Sequence, residues 1–297
     1  METYTTAREG YDQQGVEFGV YHATDTSTVL DAIVENRYKL AHCDDHIDGS
    51  EKGAKFVGRR FLSGKHAVSA AAQVWKDGLD EIESMIAELS TDLPAPVSRR
   101  RKPKWLADDG SDICLDRLRA GQDYWREARR QVSHGQNTIT IITNMATSAA
   151  VESNKILWRG AAAVAVTHLL EEAGYRVELI AASCVRNNLS AAKNGGPRNT
   201  IHAITLKQPE QPVDLATLTN WVSGWAYRTV WWMWKNCHGV PSFNYGQPAE
   251  PDRPGFKNAL TTDRCAYVVT GVWDRHAAIR AAKSILDSVR HASGVAA

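Results

Sequence analysis

The spacing of apolar residues changes near residue 98. Upstream, "HAVSAAAQVWKDGLDEIESMIAELS" (His66 to Ser90) places Val68, Ala71, Ala72, Trp75, Leu79, Ile82, Met85, Ile86 and Leu89 three and four apart. That spacing predicts one amphipathic helix, or two broken at Gly78. "STVLDAIVENRYKLA" (Ser27 to Ala41) predicts a shorter helix capped by Thr26 or Ser27. Between Leu93 and Trp105, "LPAPVSRRRKPKW" combines three prolines with five cationic residues. Proline removes a backbone donor and restricts its neighbour, so this stretch reads as an exposed linker.

Beyond the linker the pattern alternates between elements. "TITIITN" (Thr138 to Asn144) is β-branched and apolar on both faces, as a buried central strand requires. "ESNKILWRGAAAVAVTHLLEEAG" (Glu152 to Gly174) predicts a long helix stopped by glycine. "YRVELIAAS" (Tyr175 to Ser183) is a second strand, and "TIHAITLKQ" (Thr200 to Gln208) alternates in the manner of a sheet edge. A helix over Val213 to Asn236, interrupted at Gly224, a strand over Arg264 to Val272 and a terminal helix complete the series. The expected architecture is α/β, a largely parallel sheet with covering helices, preceded by a smaller helical region. The expected division is a mainly helical region over 1–97, a basic linker over 98–105 and an α/β domain over 106–297.

One stretch stands out chemically. "WAYRTVWWMWKNCHG" (Trp225 to Gly239) holds four tryptophans within ten residues. On a helix, Trp231 and Trp232 point about 100° apart, so the helix must be buried on more than one side. Most of it reads as core, with Trp231 and Trp234 at the edge of the wide face left open as a partner surface.

Composition limits the function classes. The 297 residues are 43% hydrophobic and 23% charged, as globular chains are. Thirty-five basic against thirty-four acidic residues exert no global pull toward nucleic acid or anionic lipid. Five widely spaced cysteines with no CxxC pair indicate free thiols in a reducing compartment rather than a disulfide framework or cysteine zinc site. Neither a secretory leader nor an apolar run of about 18 residues is found, so no membrane partner is expected.

Three polar clusters carry candidate chemistry. "HCDDHID" brings His42, Asp45, His46 and Asp48 together, and imidazole with carboxylate suits zinc, iron or manganese. "SRRRKPK" supplies Arg99, Arg100, Arg101, Lys102 and Lys104, a tract that could neutralise phosphates of a nucleic acid. "KNGGPRN" (Lys193 to Asn199) has glycines and cations but no GK[ST], and reads as a connection between strands. No GxSxG or other catalytic set is present, so no catalytic residue and no cofactor is assigned.

Four stretches in this order, "RFLSGKHAVSAAAQVWKDGLDEI", "DICLDRLRAGQDYW", "ITNMATSAAVESNKILWRGAAAVAVTHLLEEAGYRVEL" and "TIHAITLKQPEQPVDLATLTNWV", resemble an uncharacterised family of proteins encoded mainly by tailed phages and bacterial mobile elements. The strand order also resembles a von Willebrand factor A domain, where a central strand ends in an Asp-x-Ser-x-Ser loop that binds magnesium. Here "NMATS" sets Asn144 at the aspartate position, Ala146 at the first serine and Ser148 at the second. Without the carboxylate and one hydroxyl, a hard cation loses the oxygen charge it favours. The resemblance thus implies a degenerate metal loop. The leading expectation is a non-enzymatic interaction or assembly module with a protein partner or self-assembly, in the host cytoplasm or, for a structural phage protein, in the virion. A nucleic-acid-associated factor using the basic linker and a metal-dependent enzyme using His42 to Asp48 are the two alternatives.

Overall fold

Two strands open the chain, β1 (Glu2–Glu9) and β2 (Val16–Ala23), in a segment expected to be helical. The structure is a computed structural model, and it describes residues 2–9, 16–36, 47–91, 104–106, 112–113, 115–127, 138–186, 199–238, 248, 254–261 and 265–292. Helix α1 (Thr26–Glu35) starts at Asp25, whose carboxylate accepts the Thr28 N–H at 2.8 Å, one residue before the expected caps. Helix α2 (Glu51–Val57) starts at Ser50 and stops at Gly58, whose φ of +88° suits glycine. The long helical pattern divides into α3 (Gly64–Ala71) and α4 (Lys76–Thr91). The break precedes Gly78, which instead lies inside α4 and leaves room for the Trp75 ring against its backbone.

Residues 94–137 form a unit of their own, with β3 (Lys104–Leu106), β4 (Asp112–Ile113), α5 (Leu115–Arg119) and β5 (Trp125–Glu127). Its strands pair antiparallel in the order β3-β5-β4. Lys104, expected at the end of a linker, begins a strand here.

Residues 1–93 and 138–297 make the other unit. The expected boundary at 98–105 therefore does not separate a helical region from the sheet domain. The physical reason is strand pairing: β1 and β2 extend the same sheet as the later strands. That sheet contains β6 (Ile139–Asn144), β7 (Val177–Arg186), β8 (Asn199–Lys207) and β9 (Ala266–Val269), in the order β1-β2-β8-β7-β6-β9. The pairings β2–β8, β6–β7 and β6–β9 are parallel, and β1–β2 and β7–β8 antiparallel. β8 is buried along its whole length rather than standing at an edge, because β2 occupies its far side.

Helix α6 (Ser153–Glu172), ended beside Gly174 at φ +89°, crosses from β6 to β7. It is buried on nearly every side, packed by the sheet, by α4 and by the terminal helix α11 (Arg275–Ala292). Between β8 and β9 run α7 (Leu215–Trp221), the short α8 (Gly224–Ala226), a π-helical turn (Tyr227–Trp231), α9 (Trp232–Cys237) and α10 (Pro254–Asn258). Ile139 and Ile141 face the large cluster with α6, α9 and α11, whereas Ile142 and Ile180 face Phe256 and Leu260 across the other side of the sheet. Among the described residues no helix is long and apolar enough to cross a membrane.

Candidate functional site

β6 is flanked on both sides by parallel neighbours, and in open α/β sheets ligands gather beyond the carboxyl ends of such strands. The chain leaves β6 at Asn144, which is buried; its Oδ1 accepts the Ala146 N–H at 3.1 Å. Ser148 Oγ accepts the Ala150 N–H at 3.3 Å. Both residues that the sequence likeness set at metal-binding positions thus use a side-chain oxygen on the loop's own backbone, as Asx and Ser turns do.

Two arginines brace this loop from below. Arg159, on α6, donates through Nη1 to the carbonyl oxygens of Asn144 at 2.7 Å and Ala146 at 2.9 Å. Its guanidinium carbon lies 4.4 Å from the centre of the Trp273 ring. Arg228, in the π-helical turn, donates to the carbonyls of Phe56, Ala149 and Val151, and stacks over Phe56. Burial lowers both guanidinium pKa values; for Arg228 the result is about 10, with Tyr227 opposing the fall, so its positive charge persists at neutral pH. Four loop carbonyls are therefore committed to cationic donors. A divalent cation seeking those oxygens would meet like charge.

Close backbone approach holds the brace together. A Cβ on Gly224 would overlap Ser153, and one on Gly160 would overlap Val222, so α6 packs directly on the start of the tryptophan segment. Ser153 Oγ in turn donates to the Val57 carbonyl at 2.6 Å.

A second polar group lies deeper. Lys235 Nζ donates to Ser183 Oγ at 2.7 Å and to Tyr227 Oη at 3.3 Å, and those two oxygens are 3.2 Å apart. A lysine beside a hydroxyl is the kind of pair that can activate a nucleophile. All three side chains are wholly buried, so here the pair anchors the π-helical turn to β7. Beside it His202, also wholly buried, stacks on Tyr21 at 5.0 Å and meets the Trp234 ring edge-on at 5.2 Å. Among the described residues neither ring nitrogen has a hydrogen-bond partner.

Burial holds the His202 pKa well below its ordinary value, with the charges of Lys235 and His238 adding to the effect; burial also lowers that of His22. The unfolded chain takes up these protons near pH 6.5, whereas the folded chain does so only at lower pH. Stability is then fully present above about pH 6.5 and falls as pH drops through that value. For His202 the slope approaches about 1.4 kcal/mol per pH unit. Urea unfolding at pH 7.5, 6.5 and 5.5 checks this; His202→Gln removes one proton's share of the slope.

Trp231 and Trp234, held open as a partner surface, are 0% exposed, which corrects that expectation. The π-helical turn widens the helix, so Trp231 packs on Tyr227 and Trp234, and donates its Nε1 hydrogen to the Trp221 carbonyl at 3.3 Å. Asp48 is exposed, and its Oδ1 accepts the Ser50 N–H at 2.7 Å. His42, Asp45 and His46 lie outside the described residues, as do Arg99, Arg100, Arg101 and Lys102. Among the described residues no three histidine, cysteine or acidic side chains gather as metal ligands. Trp273, 41% exposed, was not singled out from the sequence. Its signal is the glycine two positions earlier: Gly271, at φ +67°, turns the chain out of β9 and sets the indole over Arg159.

Comparison with curated proteins and with solved structures finds no match. A family described as "Domain of unknown function (DUF7192)" matches residues 7–290, nearly the whole chain, and the chain belongs to that family.

Proposed function

We propose that this chain acts by binding rather than by catalysis: an interaction or assembly module, encoded by a phage or mobile element, whose recognition edge is the loop beyond β6. The observation that carries the reading is the Arg159 brace. Its guanidinium hydrogen-bonds the backbone carbonyls of Asn144 and Ala146, in the loop whose side chains a von Willebrand factor A domain would use to hold a metal. Cationic donors take over the work of ordering the loop, so partner recognition there needs no divalent ion. The exposed face of Trp273, rigidly backed by Arg159, supplies the kind of aromatic anchor that dominates protein interfaces.

The test compares cross-linked partners captured from the cells that express the protein, using wild type and Trp273→Ala. The substitution is expected to leave the protein folded, at a cost of about 1–2 kcal/mol, since one face of the ring is exposed and the other is lost from Arg159. The reading expects a specific partner retained by wild type and lost by the variant. Identical partner sets, with or without the indole, would refute this edge as the recognition surface.

A further inference from the structure

His202 stands near the middle of β8, opposite Tyr21 of β2 and Ser183 of β7 in the strand register. Its wholly buried ring is walled by other rings: Tyr21 at 5.0 Å, Trp234 edge-on at 5.2 Å, and His238 at 5.3 Å. His238 is itself stacked on Tyr21 at 4.1 Å. Trp234 lies on α9 and His238 caps its C-terminus, so the end of α9 closes the cage. A proton arriving on His202 needs an acceptor, and among the described residues neither Nδ1 nor Nε2 has one.

The groups around the ring offer it no negative charge. On α9 they are Lys235 and His238, and beside Lys235 stands the Tyr227 phenol of the π-helical turn. On β2 there is Tyr21, and on β7 the Ser183 hydroxyl, which already accepts from Lys235 at 2.7 Å. His22, the next residue of β2, turns instead to Thr205 at 2.9 Å. Helix α1, also packed on β8, keeps its acids Asp31 and Glu35 exposed, and α7 has no ionisable side chain beyond its exposed cap Asp214. Protonated, His202 is a buried cation beside a second cation. β8 has no freedom to withdraw, since β2 and β7 pair with it on both sides. α9 has that freedom, because a helix of six residues keeps its shape only while packed.

We propose that the end of α9 is an acid-released latch: when His202 takes up a proton, the segment from Trp234 to His238 leaves β8 and admits water to the ring, while the sheet stays formed. Opening takes up a proton, because a solvated imidazole binds it near pH 6.5 and the enclosed one only at lower pH. Acid therefore favours the open form, by up to about tenfold per pH unit below that value. The latch does not depend on what the loop beyond β6 binds.

Hydrogen–deuterium exchange of the whole chain tests this between pH 7.5 and 4.5, corrected for the intrinsic pH dependence of exchange. Mass spectrometry follows peptides covering 232–238 and 139–144. Protection of 232–238 is expected to fall by up to about tenfold per pH unit below about pH 6.5, with 139–144 unchanged. His202→Phe keeps a ring that binds no proton, and is expected to hold 232–238 protected at every pH. His202→Gln is read in the same way, should the phenylalanine variant not fold. His238→Phe is expected to keep the acid response. No fall in wild type overturns the proposal, as does a fall shared with 139–144, which is unfolding of the whole unit. A response that survives the His202 substitutions, or that vanishes in His238→Phe, overturns it as well.

Discussion

Trp225→Ala is expected to lower unfolding free energy by about 3–5 kcal/mol, the cost of truncating a buried aromatic that its surroundings cannot refill. Trp225 is 1% exposed. Its ring meets Phe61 at 5.4 Å and Trp75 edge-on at 6.4 Å, and the Arg59 guanidinium lies 5.2 Å from its centre. These contacts come from segments on either side of α3, so the substitution opens the seam between α3, α4 and the tryptophan segment rather than one pocket. Urea denaturation followed by far-ultraviolet circular dichroism measures it. A loss under about 1 kcal/mol would mean that the tryptophan segment is not core.

Arg159→Ala is the second large effect. It removes the donor from two buried carbonyls, each worth about 1–3 kcal/mol when left unpaired, for a total loss of about 2–6 kcal/mol. Arg159→Lys keeps the charge but not the planar fork, and is expected to fall between alanine and wild type. Were the charge all that mattered, lysine would match arginine. Were only bulk needed, Arg159→Met would match it as well, and unfolding curves of the three variants separate these outcomes.

The elements legible in the sequence are those whose periodicity is strong and whose partners are close in the chain. Ile139–Asn144 and Ser153–Glu172 read correctly because a strand apolar on both faces and a helix apolar all round each have a single burial solution. "ETYTTARE" and "VEFGVYHA" hide their strand character among threonine and charged residues, and β8, which pairs with the second of them, lies more than 170 residues away. Missing them made β8 an edge and put the domain boundary in the wrong place.

The site was less legible for a related reason. "NMATS" could be recognised as a loop lacking its carboxylate, but Arg159 sits in a run of Trp, Gly and Ala that reads only as buried helix. Which loop carbonyls Arg159 reaches is set by how α6 lies on β6, which no local pattern encodes. Similarly, Ser183 and Lys235 meet across 52 positions, and only the π-helical turn brings Tyr227 to both. The tryptophan cluster was read as mostly core on geometric grounds, and Trp225 and Trp232 are indeed buried. Trp231 and Trp234 differ from expectation because the buried face extends past the edge at which the sequence places them: both are wholly enclosed.

Isothermal titration of the purified chain with Mg²⁺, Mn²⁺ and Ca²⁺, at pH 7.5 after exhaustive treatment with chelator, tests the central claim most directly. If Arg159 and Arg228 order the loop beyond β6 in place of a metal, titration gives no saturable heat at millimolar ion, and the melting temperature is the same with ion and with chelator. One equivalent of tightly bound cation, abolished by Asn144→Ala or Ser148→Ala, would contradict the account.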